Sequence, residues 1–150
     1  MTAAALFYFV GLLEQRRGSR GINDFGGLMQ RTPLLCGWMS VAMFSSLGLP
    51  GLNGFIGEFL IFKGSFATAA GFTAIAVIGL LFTAVTFMRA MQSLFSGPLS
   101  ESCAGFSDLL LKEKLVIVPI TFLMFAIGLN PQFIFNTFNA TVAQMARLFS

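Results

Sequence analysis

Ser45-Ser46-Leu47-Gly48-Leu49-Pro50-Gly51-Leu52-Asn53-Gly54-Phe55-Ile56-Gly57-Glu58-Phe59-Leu60 is the stretch on which the reading of this chain turns. It is apolar at both ends, and its middle holds Pro50 and the glycines Gly48, Gly51, Gly54 and Gly57. Pro50 has no N–H to donate, and the glycines weaken helical hydrogen bonding around it. A helix entering this stretch is therefore interrupted and restarts near Gly54. One carboxylate, Glu58, stands just past the interruption.

The rest of the sequence identifies the solvent. The chain is 56% hydrophobic and 10% charged, where soluble domains carry roughly 25% charged residues. A chain of 150 residues exposes too much surface to hide that apolar content from water. Gly64 to Met88 holds no charge over about 25 residues, more than the roughly 20 that span a bilayer as a helix. The fold class expected is all-α, with polytopic transmembrane helices in a single membrane domain over residues 1–150. Irregular backbone at membrane depth survives only where protein or water lines it, and transporters place ion sites at such breaks.

Working outward, residues 3–13 form an apolar segment of about 11 residues, too short to cross alone and expected to be either the second half of a longer helix or a short interfacial helix. A polar loop follows from Glu14 to Arg20, and Thr32-Pro33 has the chemistry of a helix start. Residues 33–48 and 54–66 then read as one broken crossing, with 67–95 and 110–129 as further helices. In the tail from Gln132 to Ser150, Ile134, Phe138, Val142, Met145 and Phe149 form one apolar stripe, suited to an amphipathic helix over about 132–148 in the membrane interface or against a neighbour. A single broken crossing places Arg16, Arg17, Arg20, Arg31, Arg89, Lys112 and Lys114 on one side, against Lys63 and Arg147 on the other. Two crossings would weaken that bias, so the positive-inside rule favours one.

Several chemistries are excluded. The net charge of +3 comes from scattered basic residues beside hydrophobic runs, which is no nucleic-acid footprint. Cys36 and Cys103 lack metal-ligand spacing, and the chain has no histidine. No catalytic or metal-ligating set is read from the sequence.

Glu58 is the residue with chemistry to explain. A carboxylate within an apolar membrane segment costs on the order of 3 kcal/mol on insertion scales. Desolvation favours its neutral form, and the positive end of the helix restarting near Gly54 favours its charged form. A group balanced in this way can exchange a proton. The competing reading has Glu58 snorkelling to the interface or pairing structurally with a lysine. Lys63 reads as an interfacial anchor or a proton-path residue, and Arg89 as a helix-end anchor. Ser45 and Ser46 are supporting candidates, placed to satisfy freed backbone groups or to hold water, and Asn53 is expected to hydrogen-bond its own loop.

The quoted stretch, taken whole, resembles the broken-helix signature of the antiporter-like subunits of respiratory complex I. Leu6 to Gly11, the loop Gly18 to Gly27, Ala84 to Gly97 and Gly128-Leu129-Asn130-Pro131 resemble the family's flanking segments. Gly57-Glu58-Phe59 is similar to the subunit M (chain 4) branch, since related branches usually carry lysine where Glu58 stands. The resemblance implies that Glu58 is the terminal proton-relay residue of the subunit's channel. It also implies an integral protein of the bacterial cytoplasmic or mitochondrial inner membrane. Its partners would be other complex I membrane subunits, lipid and the remaining N-terminal part of the same subunit. NADH, FMN, iron–sulfur clusters and quinone would be used elsewhere in the assembly. The chain resembles only roughly the last third of that subunit, so proton pumping by the chain alone is not expected. A cation/proton antiporter subunit, a membrane-bound hydrogenase subunit and a purely structural membrane fragment are the alternatives.

Overall fold

The computed structural model describes residues 1–100, 103–132, 135–138, 142 and 144. Among them all regular structure is helical. The long elements are α1 (Thr2–Arg17), α2 (Pro33–Ser46), α3 (Asn53–Phe95) and α4 (Leu111–Leu129), with short 3-10 turns at Ile22–Asp24 and Leu28–Gln30.

α1 extends one turn beyond the apolar run 3–13. Glu14, Gln15, Arg16 and Arg17 are good helix formers, and the arginines suit the negative end of a helix. Gly18, at φ 74°, closes the helix by donating its N–H to the Glu14 carbonyl. The polar loop therefore begins at Gly18 rather than Glu14. α2 stops at Ser46, short of the expected residue 48, because Gly48 takes a left-handed conformation at φ 67°. Thr32 does not cap α2 with its side chain. Its hydroxyl donates to the Leu28 carbonyl at 3.0 Å. The free N–H groups of Leu34 and Leu35 instead donate to the Asp108 carboxylate, each at 3.0 Å.

The segments expected at 54–66 and 67–95 follow one another without a loop as α3, two helical arms joined at a kink where the backbone leaves helical geometry at Ala69 (φ −148°, ψ 63°). Held straight, its 43 residues would reach about 65 Å at 1.5 Å per residue. Its ends lie much closer together. Asn53 meets Ser45 at the C-terminal end of α2, and Ser96 just past Phe95 accepts the Gly27 N–H ahead of the N-terminal end of α2. The 14 residues of α2 span only about 21 Å. The arms 53–68 and 70–95, about 24 and 39 Å long, can close that triangle only at an acute angle. α3 thus folds back at Ala69, and the boundary between its arms falls there rather than at Phe66.

Phe9, Leu12 and Leu13 of α1, Leu35, Met39 and Met43 of α2, and Ile117 and Met124 of α4 form the buried core. α3 is different. Its most apolar stretch has a mean hydropathy of 2.1, yet only 6% of it is buried. Phe72, Ile75, Leu81 and Phe82 all face outward. Apolar surface of that extent is a contact face for lipid or for other protein. Of the amphipathic helix expected over 132–148, residues 132, 135–138, 142 and 144 are helical, with Phe138 and Val142 exposed. Ile134, Met145, Arg147 and Phe149 lie outside the described residues.

The helices gather into two polar ends. At one, Arg16 donates to Glu113 at 2.7 Å, Asp108 caps α2, and the Gln30 amide donates to the Gly97 carbonyl at 3.1 Å. The other end is the helix break.

Candidate functional site: the broken helix and Glu58

Residues 47–52 join α2 to α3 without helical geometry. The break is wound tightly. Leu47 donates its N–H to the Met43 and Phe44 carbonyls, Gly48 to Ser45, Leu49 to Phe44, and Leu52 to Leu49. The last carbonyls of α2 are thus partly satisfied from within the break, as backbone buried from water requires. Pro50, in the turn itself, has no N–H to leave unpaired.

Glycine suits position 48 for two reasons. Its φ of 67° is a region that side chains rarely adopt. A Cβ there would also collide with the Glu58 carboxylate, which folds back from the second turn of α3 to lie directly over Gly48. Glu58 is half-buried. Among the described residues, no hydrogen-bond donor or cation pairs with it. The structure therefore brings Glu58, Gly48, Gly54, Ser45 and Asn53 together.

Asn53 begins α3, and its side-chain oxygen does not turn back into its own loop as expected. It accepts from the Ser45 hydroxyl at 2.7 Å and from the Thr2 hydroxyl at 3.3 Å, while Thr2 and Ser45 lie 3.0 Å apart. Ser46 is only half-buried, and Gly57 looks onto open space. Lys63 and Arg89 are exposed, and no hydrogen bond or ion pair among the described residues ties either to the break.

Two residues at the break carried no functional assignment in the sequence. Thr2 has no motif around it, and only the packing of α1 on α2 brings it there. Gly128, near the end of α4, lies so close to the Gly51 carbonyl and the Leu52 backbone that any Cβ would overlap them. Its small size before Asn130-Pro131 was the available signal.

The sequence has known relatives. Residues 1–86 match the family model described as NADH:quinone oxidoreductase/Mrp antiporter, TM. The chain belongs to this family. Membership makes it an integral membrane protein, in agreement with the outward apolar face of α3. The chain is 34% identical over 142 residues to NADH-quinone oxidoreductase subunit M of Mycobacterium tuberculosis, covering 95% of this chain and 26% of the relative. It is 33% identical over 144 residues to NADH-quinone oxidoreductase subunit M of Rickettsia conorii, at 95% and 29% coverage. It is also 35% identical over 126 residues to the F(420)H(2) dehydrogenase subunit M of Methanosarcina mazei, at 84% and 26% coverage. The chain thus spans between 26% and 29% of the length of these relatives.

Proposed function

We propose that this chain is part of a proton-translocating membrane subunit of a complex I-type NADH:quinone oxidoreductase, with Glu58 as the group that takes up and passes on the proton. The observation that carries this reading is the Glu58 carboxylate lying over Gly48 at a helix break, in the first turns of an apolar helix. A carboxylate inside an apolar membrane segment is a candidate for an ion or proton path, and one that gains and loses a proton has the property a relay needs.

In this proposal α2 and the 53–68 arm of α3 make one broken crossing. The 70–95 arm and α4 cross again, and residues 132–148 lie along the interface. Arg16, Arg17, Arg20, Arg31, Lys112 and Lys114 then share the face opposite the break, as the positive-inside rule requires. The membrane is the bacterial cytoplasmic or mitochondrial inner one. The chain packs against lipid, the remainder of its own subunit and neighbouring membrane subunits. Its role is proton movement, and electron transfer through NADH, FMN, iron–sulfur clusters and quinone belongs to other subunits.

Glu58→Gln tests the reading, because it keeps size and hydrogen bonding and removes titration. In the assembled complex, protons pumped per electron should fall while assembly is retained. Glu58→Lys should preserve more pumping than Gln, since it keeps a titratable group, and Glu58→Asp should fall between them. Full pumping by a correctly assembled Gln variant would overturn the assignment. The Methanosarcina relative favours a second reading in which the same membrane part serves a different electron donor. Neighbouring genes decide between these donors, and also between them and an antiporter or hydrogenase setting.

A further inference from the structure

We propose that Thr2, Ser45 and Asn53 form a clamp across the helix break that positions Glu58, with Ser45 as its centre. The proposal rests on the relay reading of Glu58 and adds the residues that hold it in place.

Ser45 is fully buried, at 0% exposure, in the last turn of α2. Its hydroxyl has one proton and one strong acceptor, the Asn53 side-chain oxygen at 2.7 Å. Thr2, from α1, reaches both groups at 3.0 and 3.3 Å. Three helices are thus joined at one polar point in otherwise apolar packing, where hydrogen bonds compete little with water.

The clamp also holds the backbone. Gly54, the residue after Asn53, lies so close to the Ser45 carbonyl that a Cβ could not fit between them. The first turn of α3 is therefore pressed onto the last turn of α2, and its direction follows from that contact. Glu58 is five residues further along the same helix, and its carboxylate meets Gly48, three residues beyond Ser45. A small change in the angle at Asn53 separates Glu58 from Gly48. Nothing else among the described residues holds the Glu58 side chain by hydrogen bond or ion pair. Lys63, the nearest cation along α3, is exposed. The position of Glu58 is thus set by the break through Ser45 and Asn53, so these are positioning residues and make no contact with the carboxylate.

The test uses the assembled complex in membranes and reads Glu58 directly. A hydrophobic carbodiimide attacks protonated carboxyls in apolar surroundings, and mass spectrometry of the Glu58 peptide measures the labelling rate against pH. Ser45→Ala should lower labelling about fivefold, the weight of one buried hydrogen bond, because the released carboxyl meets water more often. Thr2→Val, which keeps size and removes the hydroxyl, should shift the profile in the same direction by less. Thr2→Ser should restore the wild-type profile. Wild-type labelling in both Ser45→Ala and Thr2→Val would overturn the clamp, and so would equal shifts in Thr2→Ser and Thr2→Val. If Ser45→Ala fails to assemble, the Thr2 pair alone decides. Pumping by Glu58→Gln is scored separately. Should that variant pump fully, the relay reading falls, while the labelling profiles still decide whether the clamp positions Glu58.

Discussion

Replacing Gly48 by alanine perturbs the break in two ways that a matched substitution at Gly51 separates. At Gly48, φ is 67°, and at Gly51 it is 96°. Both lie where a side chain is strained, so each alanine should destabilise the fold by about 1–2 kcal/mol through the backbone alone. Their surroundings differ. A Cβ on Gly51 meets only the Leu129 side chain, at an ordinary 3.9 Å, whereas a Cβ on Gly48 occupies the place of the Glu58 carboxylate. The tip of a flexible side chain yields more easily than backbone does. Gly48→Ala should therefore displace Glu58 with little further loss of stability. The expected outcome is similar thermal destabilisation for the two variants, with proton pumping per electron reduced much more in Gly48→Ala. Thermal unfolding of the purified complex and pumping in proteoliposomes measure the two quantities. Equal pumping by the two variants would refute the reasoning, because contact between Glu58 and Gly48 would then have no functional consequence.

Other expectations follow from the packing. Gly128→Ala places a methyl against the Gly51 and Leu52 backbone, which cannot move aside as a side-chain tip can, so stability should fall by about 1–3 kcal/mol; an unchanged unfolding midpoint, followed through Trp38 fluorescence, would contradict this. Asp108 lies in the connector ahead of α4. Its burial raises the carboxyl pKa, but the N–H groups of Leu34, Leu109 and Leu35, with the charge of Lys114, outweigh that and leave it lowered. A lowered folded-state pKa means a contribution fully present above the unfolded value of about 3.9 and lost as pH falls through the folded one. Asp108→Asn should thus destabilise at neutral pH by about 1–2 kcal/mol and flatten the acid limb of the stability curve; an acid limb identical to wild type would remove Asp108 from it. Arg16 and Glu113 retain only 12% and 15% side-chain exposure in their pair. Glu113→Gln should destabilise by about 1–3 kcal/mol, and a double-mutant cycle with Arg16→Met should show coupling; additive effects would mean the pair contributes nothing.

Sequence alone settled the solvent and the interruption. Uncharged runs such as Gly64–Met88 can be accommodated only by an apolar environment, and Pro50 among glycines cannot continue a helix, whatever the chain packs against. These are properties of composition and backbone chemistry, and they pointed to Glu58 before any contact was known. The extent of α1 escaped the same reasoning because Glu14 to Arg17 are polar yet helix-forming, and hydropathy does not register propensity. The long-range partners escaped it for a deeper reason. Thr2 lies 51 positions from Asn53, and Asp108 lies 74 from Leu34. A threonine in an apolar run and an aspartate in a connector have no local feature that names a partner at such a distance. Only the packing of α1 on α2, and the return of the chain past Phe95 toward the start of α2, bring them into hydrogen-bonding range. The same holds for Glu58 itself: its residue type was visible in the sequence, but its contact with Gly48 exists because Ser45 and Gly54 press two helix ends together.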